Sequence, residues 1–189
     1  VIEIARQDRP SLYDPWADRP EPLVPRDRRV EVAGRLGPDG REVAPLDLAP
    51  LLDPAVVPDD AEAVAVCLLH SDLEDRHERA VATVLEERGL DVTASIDVSP
   101  LFREYERTVT TVVDAYLRPV CRRYLHGLAD AAEAVSVMTS AGGLVPVARG
   151  ADRPAALLLS GPAGGVAAGA AAAVASGFAD AVTFDMGGT

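Results

Sequence analysis

Along the chain the apolar positions first follow a strand-like alternation and later a helical spacing. Residues 11–25 carry Pro15, Pro20, Pro22 and Pro25 and read as an extended connector. From Arg28 the alternation Val30, Val32 runs into Gly37-Pro38-Asp39-Gly40 and resumes at Val43, the pattern of a β-hairpin. Asp47 to Asp60 is interrupted by proline and is expected to hold one short helix around Leu48 to Leu52. Ala63 to Leu69 is a continuous apolar run, the length of a strand buried on both faces. Ser71 and Glu74 have capping-box spacing. Ala80, Val81, Val84 and Leu85 then make one apolar helical face, and Gly89 supplies a left-handed stop.

Asp91 to Ile96 reads as the next strand. Ser99-Pro100 opens a long helix in which Leu101, Tyr105, Val109, Val112, Tyr116 and Val120 share a face, with Pro119 expected to kink or divide it. Val135 to Met138 and Ala155 to Leu159 are short strand candidates. Gly161 to Ser176 is helical by its alanine content, and Ala181 to Phe184 is a final strand. Alternating strands and helices predict an α/β fold with a mainly parallel or mixed sheet and helices on its faces. In such sheets ligands sit outside the carboxyl ends of strands. The candidate positions are therefore His70-Ser71, Asp97, Ser140-Ala141-Gly142-Gly143, Ser160-Gly161 and Asp185 to Thr189.

Composition narrows the partners. The chain has 189 residues, 48% of them hydrophobic, enough for a sizeable core. The formal charge of −12 argues against nucleic acid, because an acidic surface repels a phosphate backbone. No apolar run reaches the length of a membrane span, and charge interrupts Val1 to Arg9, unlike a signal peptide. Cys67 and Cys121 lie in apolar segments and read as buried thiols, which fits a reducing cytoplasm. All basic residues are arginine, a compositional bias given no functional weight. No two histidines share ligand-like spacing on one element, so His70 reads as a polar group at a strand end and His77 as the edge of a helix face. Arg103, Glu104, Glu106 and Arg107 read as a helical ion-pair set, and Arg6 and Arg9 as surface residues.

Two motifs carry chemistry. In Thr183-Phe184-Asp185-Met186-Gly187-Gly188-Thr189 an apolar strand ends in a carboxylate, two glycines and a hydroxyl. Glycines let backbone N–H groups approach phosphate oxygens, the threonine adds a donor, and the aspartate suits Mg²⁺. A tight hairpin turn after a strand would have the same residues. Ser160 to Val174 is a helix with almost no side-chain bulk, including Gly164, Gly165 and Gly169. Glycine costs about 1 kcal/mol relative to alanine inside a helix, so close packing of another segment or a plain alanine-rich core helix must account for them.

A nearly bare helix followed by strand-Asp-x-Gly-Gly-Thr resembles the connecting helix and second phosphate loop of the actin, sugar-kinase and heat-shock-chaperone superfamily. More specifically, the chain resembles the hydantoinase A/5-oxoprolinase family. The likeness runs through Arg6 to Pro10 with Leu12-Tyr13-Asp14, Pro22 to Arg26, Ala65 to Ser71 with His77-Glu78, Arg103 to Arg107, Ala115-Tyr116-Leu117, Met138 to Gly143, Ser160 to Gly165 and Asp185 to Thr189. Departures are Asp114, Thr139 and Ala141, where the family usually has Asn, Gln and Asn, and Glu74-Asp75, where it commonly has Asn-Pro.

The resemblance implies a ribonuclease-H-like lobe. Residues 1–60 would be a connector and hairpin ending an N-terminal region, 61–180 an α/β lobe with connecting helix 161–176, and 181–189 the start of a second lobe. It implies ATP and Mg²⁺, with Asp185 as catalytic group and metal ligand, and Gly187, Gly188, Thr189, Ser160 and Gly161 binding nucleotide. The implied reaction opens a hydantoin or 5-oxoproline type ring by phosphorylating its carbonyl oxygen. An ATP-using subunit of an acetone- or acetophenone-type carboxylase is the alternative. A second, hydantoinase B-type subunit is an implied partner. The chain is expected to be an internal fragment, inactive by itself because it holds only one phosphate loop.

Overall fold

The computed structural model describes residues 11, 13–17, 22–129, 132–184 and 186. The fold is α/β, in two units, Val1–Tyr116 and Leu117–Thr189, each with its own core. The expected single sheet is not formed among the described residues. Three two-stranded sheets take its place.

In the first unit, β1 (Arg35–Leu36) and β2 (Glu42–Ala44) pair antiparallel around the expected turn. Gly40, at φ +75°, donates its N–H to the Gly37 carbonyl at 3.0 Å, a conformation glycine adopts without strain. The ladder stops short of Val30 and Val32. A register shift at Arg35/Leu36 ends regular pairing, and Val32 packs on the core instead. The helix expected at 48–52 is a single 3-10 turn, Ala49–Leu52, that buries Leu51.

Next come β3 (Val64–Val66), α1 (Arg76–Glu87) and β4 (Val92–Ala94). The strands pair in parallel, Val64 opposite Val92 and Val66 opposite Ala94, with α1 as the crossover that parallel strands require. Val81 and Leu85 of α1 meet Val66, Val92, Ala94, Leu51 and Val57 in one core. The Arg88 guanidinium secures its rim by donating to the carbonyls of Leu51 and Val57 and to Asp59. The C-terminus of α1 is as expected. Gly89, at φ +83°, donates to the Glu86 carbonyl, and Leu90 donates to that of Leu85, closing a Schellman motif.

The N-terminus of α1 differs. Ser71 does not cap it: its hydroxyl donates to the Leu68 carbonyl at 2.8 Å, and Glu74 accepts from Arg76 N–H at 3.2 Å. An intervening turn, in which Leu73 and Glu74 N–H both donate to the His70 carbonyl, delays the helix to Arg76. The strand expected through Ile96 likewise ends early, because Ser95 and Ile96 enter a short helix, α2 (Ser95–Val98), and donate to a side chain of α1.

The long helix α3 (Glu104–Ala129) starts after Ser99-Pro100 and runs on through Pro119. Its buried residues in the first unit are Arg107, Thr108, Thr111, Asp114 and Ala115 rather than the expected apolar stripe, whose Leu101 and Tyr116 are exposed. Hydrogen bonds offset the burial of the threonine hydroxyls and of the terminal nitrogens of Arg107. Thr108 and Thr111 hydroxyls donate to the carbonyls four residues back, and Arg107 has three acceptors.

In the second unit, β5 (Ser136–Met138) pairs antiparallel with β6 (Leu144–Pro146), a hairpin that the apolar pattern showed only in its first strand. Then follow α4 (Val147–Asp152) and α5 (Ser160–Ala175). Leu125, Val147 and Ala151 form the core with Val137 and Leu157 beside them. Ala155 to Leu159 is no strand. Pro154 starts a 3-10 turn, Pro154–Leu157, and Leu159 adopts φ +62°. Residues 181–184 are not a strand either, since none of the described segments pairs with them and Val182 and Phe184 are exposed. No residue of α5 is buried. A Cβ on Gly169 would meet the Thr183 methyl and one on Gly164 the Met138 side chain, whereas Gly165 faces open space. Among the described residues no helix is long and apolar enough to cross a membrane.

Candidate functional site

Two regions carry the chemistry that the sequence singles out. Of the nucleotide-site candidates, Asp185, Gly187, Gly188 and Thr189 lie outside the described residues. Ser160 and Gly161 are the first residues of α5, preceded by Leu159 in the left-handed conformation. The first N–H groups of a helix have no partner within it, and a Cβ at Gly161 would meet nothing within 4 Å, so an anion could approach this backbone closely. Ser140 to Gly143 form the turn of the β5–β6 hairpin, with Gly142 at φ +82°. Ser140 is committed there, donating through both N–H and hydroxyl to the Ala156 carbonyl at 2.8 and 2.9 Å.

The second region lies at the carboxyl ends of β3 and β4, in the first unit. Glu78, projecting from α1, is fully buried. One carboxylate oxygen accepts from Leu68 N–H and Ser95 hydroxyl, each at 2.7 Å, and the other from Ile96 N–H at 3.1 Å. A single side chain thus ties the ends of the two parallel strands together and supplies the hydrogen bonds that make its burial affordable. Arg107, 1% exposed, donates to Asp72 at 2.9 Å, Leu101 carbonyl at 3.0 Å and Leu68 carbonyl at 2.8 Å. Arg107 is therefore no member of a surface ion-pair set. Arg103 and Glu106 keep a surface contact at 3.8 Å.

Around this frame stand the other candidates. Asp97 lies in α2 and pairs with Arg79 at 2.6 Å, which, with Asp75 on the other side, holds the guanidinium above its ordinary value. His70 follows the end of β3 at φ +64°. Cys67 is largely buried, and burial pushes its thiol up to about 11, against the hydrogen bonds of Thr111 and Thr108. His77 is 5% exposed and sits 3.3 Å from a Glu42 oxygen, lining a cleft of about 180 Å³ whose other walls are mainly the apolar Val32, Leu36, Leu46 and Leu68.

Sequence reasoning placed His70 and Asp97 at strand ends but missed the structural centre of the region, Glu78 and Arg107. A signal existed for Arg107. It shares one helical face with Thr111 and Asp114, flanked by Thr108, a polar stripe that makes sense only if it faces partners.

Two family models match the chain. A model of the hydantoinase/oxoprolinase N-terminal region matches residues 1–89, and the hydantoinase/oxoprolinase model matches residues 107–189. The alpha subunit of caprolactamase from Pseudomonas jessenii is 32% identical over all of this chain and 28% of its own length. The crystal structure of the ATP-dependent caprolactamase from the same organism superposes with a TM-score of 0.82 at 31% identity, covering 100% of this chain and 29% of that one. The 5-oxoprolinase 1 of Arabidopsis thaliana is 33% identical over all of this chain and 17% of its own length. A nucleotide-free acetone carboxylase structure superposes with a TM-score of 0.75 at 30% identity over 85% of this chain and 24% of that one. This chain thus spans less than a third of these relatives' lengths. With both family models matched in order and the likeness to an ATP-dependent caprolactamase running from end to end, the chain belongs to the hydantoinase/oxoprolinase family.

Proposed function

We propose that the protein containing this chain uses ATP to open a cyclic amide or imide of the hydantoin or 5-oxoproline type. The observation that carries the reading is the end-to-end likeness to a caprolactamase described as ATP-dependent. An amide carbon is a poor electrophile because the nitrogen lone pair is delocalised into the carbonyl. In the proposed reaction the carbonyl oxygen attacks the terminal phosphorus of ATP and ADP leaves. Water then adds to the activated carbon and the C–N bond breaks, the nitrogen taking a proton, which leaves an acyl phosphate that a second water hydrolyses to carboxylate and phosphate. The sum is amide, ATP and two waters giving the ring-opened acid, ADP and phosphate.

Residue types assign the roles. The carboxylate of Asp185 suits a hard cation and would hold Mg²⁺, which when bound neutralises phosphate charge. Gly187, Gly188 and Thr189 would offer N–H groups and a hydroxyl to phosphate oxygens, and the open N-terminus of α5 at Ser160-Gly161 would offer more. We assign the fold to the ribonuclease-H-like class, with residues 1–60 as connector and hairpin, 61–180 as the lobe with connecting helix 161–176, and 181–189 as the start of a second lobe. A cytoplasmic location and a second, hydantoinase B-type subunit belong to the same proposal. Since the chain spans only 29% of the caprolactamase chain, no ATP turnover is expected from residues 1–189 alone.

Carboxylation is the second reading, favoured by the likeness to acetone carboxylase. There a ketone, as its enol, would take the phosphate. The test is ADP release by the longer protein with Mg²⁺ and 5-oxoproline, hydantoin, caprolactam, or acetone with bicarbonate, wild type against Asp185→Ala. Turnover stimulated by a cyclic amide and lost in the variant supports ring opening. Stimulation by acetone and bicarbonate alone selects carboxylation, and silence with every substrate rejects both.

A further inference from the structure

His70 is held in an unfavourable conformation with its side chain uncommitted. Its φ of +64° lies in the left-handed region that favours glycine. The turn needs only its carbonyl, which accepts from Leu73 and Glu74 N–H at 3.0 and 3.1 Å, and glycine would supply that carbonyl without strain. The imidazole is half-buried, and no hydrogen bond among the described residues uses it.

The backbone on both sides of His70 is fixed by buried charge. Before it, Leu68 donates to Glu78 and its carbonyl accepts from Arg107 and from Ser71. After it, Asp72 is paired with Arg107. Strain kept in place by such a frame is the arrangement found where a side chain must be presented to a ligand. The location agrees, since His70 follows the carboxyl end of β3, the side of a parallel pair on which α/β proteins bind ligands. Both carboxylates at this end, Asp72 and Asp97, are already paired with arginines, so neither adds an uncompensated negative charge that would repel an incoming oxygen, and the imidazole N–H can donate to it.

We propose that His70 is a substrate contact whose imidazole donates a hydrogen bond to a carbonyl or carboxylate oxygen of the cyclic amide. The inference rests on the ring-opening reading above. A histidine kept for its ligand rather than for the fold makes a distinctive prediction: replacing it with glycine stabilises the protein while weakening substrate binding.

The experiment measures KM for 5-oxoproline, hydantoin and caprolactam, KM for ATP, and Tm in the longer protein, for wild type, His70→Gly and His70→Asn. Asparagine tolerates the left-handed backbone and keeps an N–H donor. Expected for His70→Gly are a raised Tm, a KM for the amide higher by about tenfold or more, and a KM for ATP within about twofold. His70→Asn should recover part of the lost affinity. An amide KM unmoved in both variants, or a lower Tm in His70→Gly, overturns the proposal while leaving the ring-opening reading intact. A wild type that opens none of the three rings overturns that reading, and the role of His70 with it.

Discussion

Arg107 and Asp72 form a 2.9 Å ion pair in which the arginine side chain is 1% exposed and the aspartate 14%. The same guanidinium reaches the carbonyls of Leu68 and Leu101, so one cation joins the end of β3, the turn after it and the loop before α3. Removing one member of a buried pair leaves the other charge uncompensated, at a cost of roughly 3–5 kcal/mol. Arg107→Met is expected to lose about that much unfolding free energy in urea titration. Asp72→Asn should lose less, because the two carbonyls still receive the guanidinium. A loss under about 1 kcal/mol for Arg107→Met would place the pair with solvent-screened surface bridges instead.

Glu78 is the complementary case, an anion satisfied by three donors. Glu78→Ala strands the N–H groups of Leu68 and Ile96 as well as leaving a void. Hydrogen bonds to charged groups contribute about 1.5–3 kcal/mol each, though not additively, so a loss of about 3 kcal/mol or more is expected. Glu78→Gln keeps an oxygen for one set of donors but puts an NH₂ where the other accepts. Its loss should fall between wild type and alanine. Amide exchange at Leu68 and Ile96 checks the cause, since both should lose protection in the alanine variant before the amides of Val81 and Leu85 do.

Much of the first unit was legible because its signals are local. The hairpin turn at Gly37 to Gly40, the apolar face of α1 and the Gly89 stop all depend on neighbours in sequence. What was not legible depends on partners distant in sequence. Ser71 and Glu74 have the spacing of a capping box, yet the Leu68 carbonyl and the Arg76 N–H claim them first. The inward face of α3 is polar because Asp72 and Leu68 lie opposite it, and helical spacing shows the polar stripe without naming those partners. Of the proposed nucleotide loop, the sequence supplies the residue types at Asp185 to Thr189, and Asp185 and Gly187 to Thr189 lie outside the described residues.

Gly34 and Gly89 separate two reasons for glycine. Both have positive φ, +143° and +83°. A Cβ on Gly34 would lie 2.9 Å from the Leu46 Cα and 3.3 Å from the Pro45 carbonyl oxygen, backbone atoms that Asp47 N–H, bonded to the Ala33 carbonyl at 2.8 Å, holds close. A Cβ on Gly89 would meet nothing within 4 Å. Gly89→Ala should therefore lose only the left-handed penalty, about 1–2 kcal/mol. Gly34→Ala adds a clash that backbone must move to relieve, and its loss should exceed that of Gly89→Ala in the same urea titration. Equal losses would mean that the segment at Leu46 yields freely.

Cys67 gives stability a pH dependence of calculable sign. Burial pushes its thiol from the ordinary 9.0 to about 11 in the folded chain. Between those values the unfolded chain gives up the proton while the folded chain keeps it, so unfolding releases a proton and becomes easier as pH rises. The stabilising contribution is complete below pH 9 and is lost as pH passes through 11. At 1.36 kcal/mol per pKa unit the loss is on the order of 2–3 kcal/mol. Tyrosine and other groups titrate in the same range, so the comparison is with Cys67→Ala, in which they remain. Unfolding free energies of the two proteins should run parallel from pH 7 to about 8.5 and converge above it, with wild type falling more steeply. Curves that stay parallel to pH 11 would mean that the folded thiol ionises as readily as the unfolded one, and that the space around Cys67, Thr108 and Thr111 admits water.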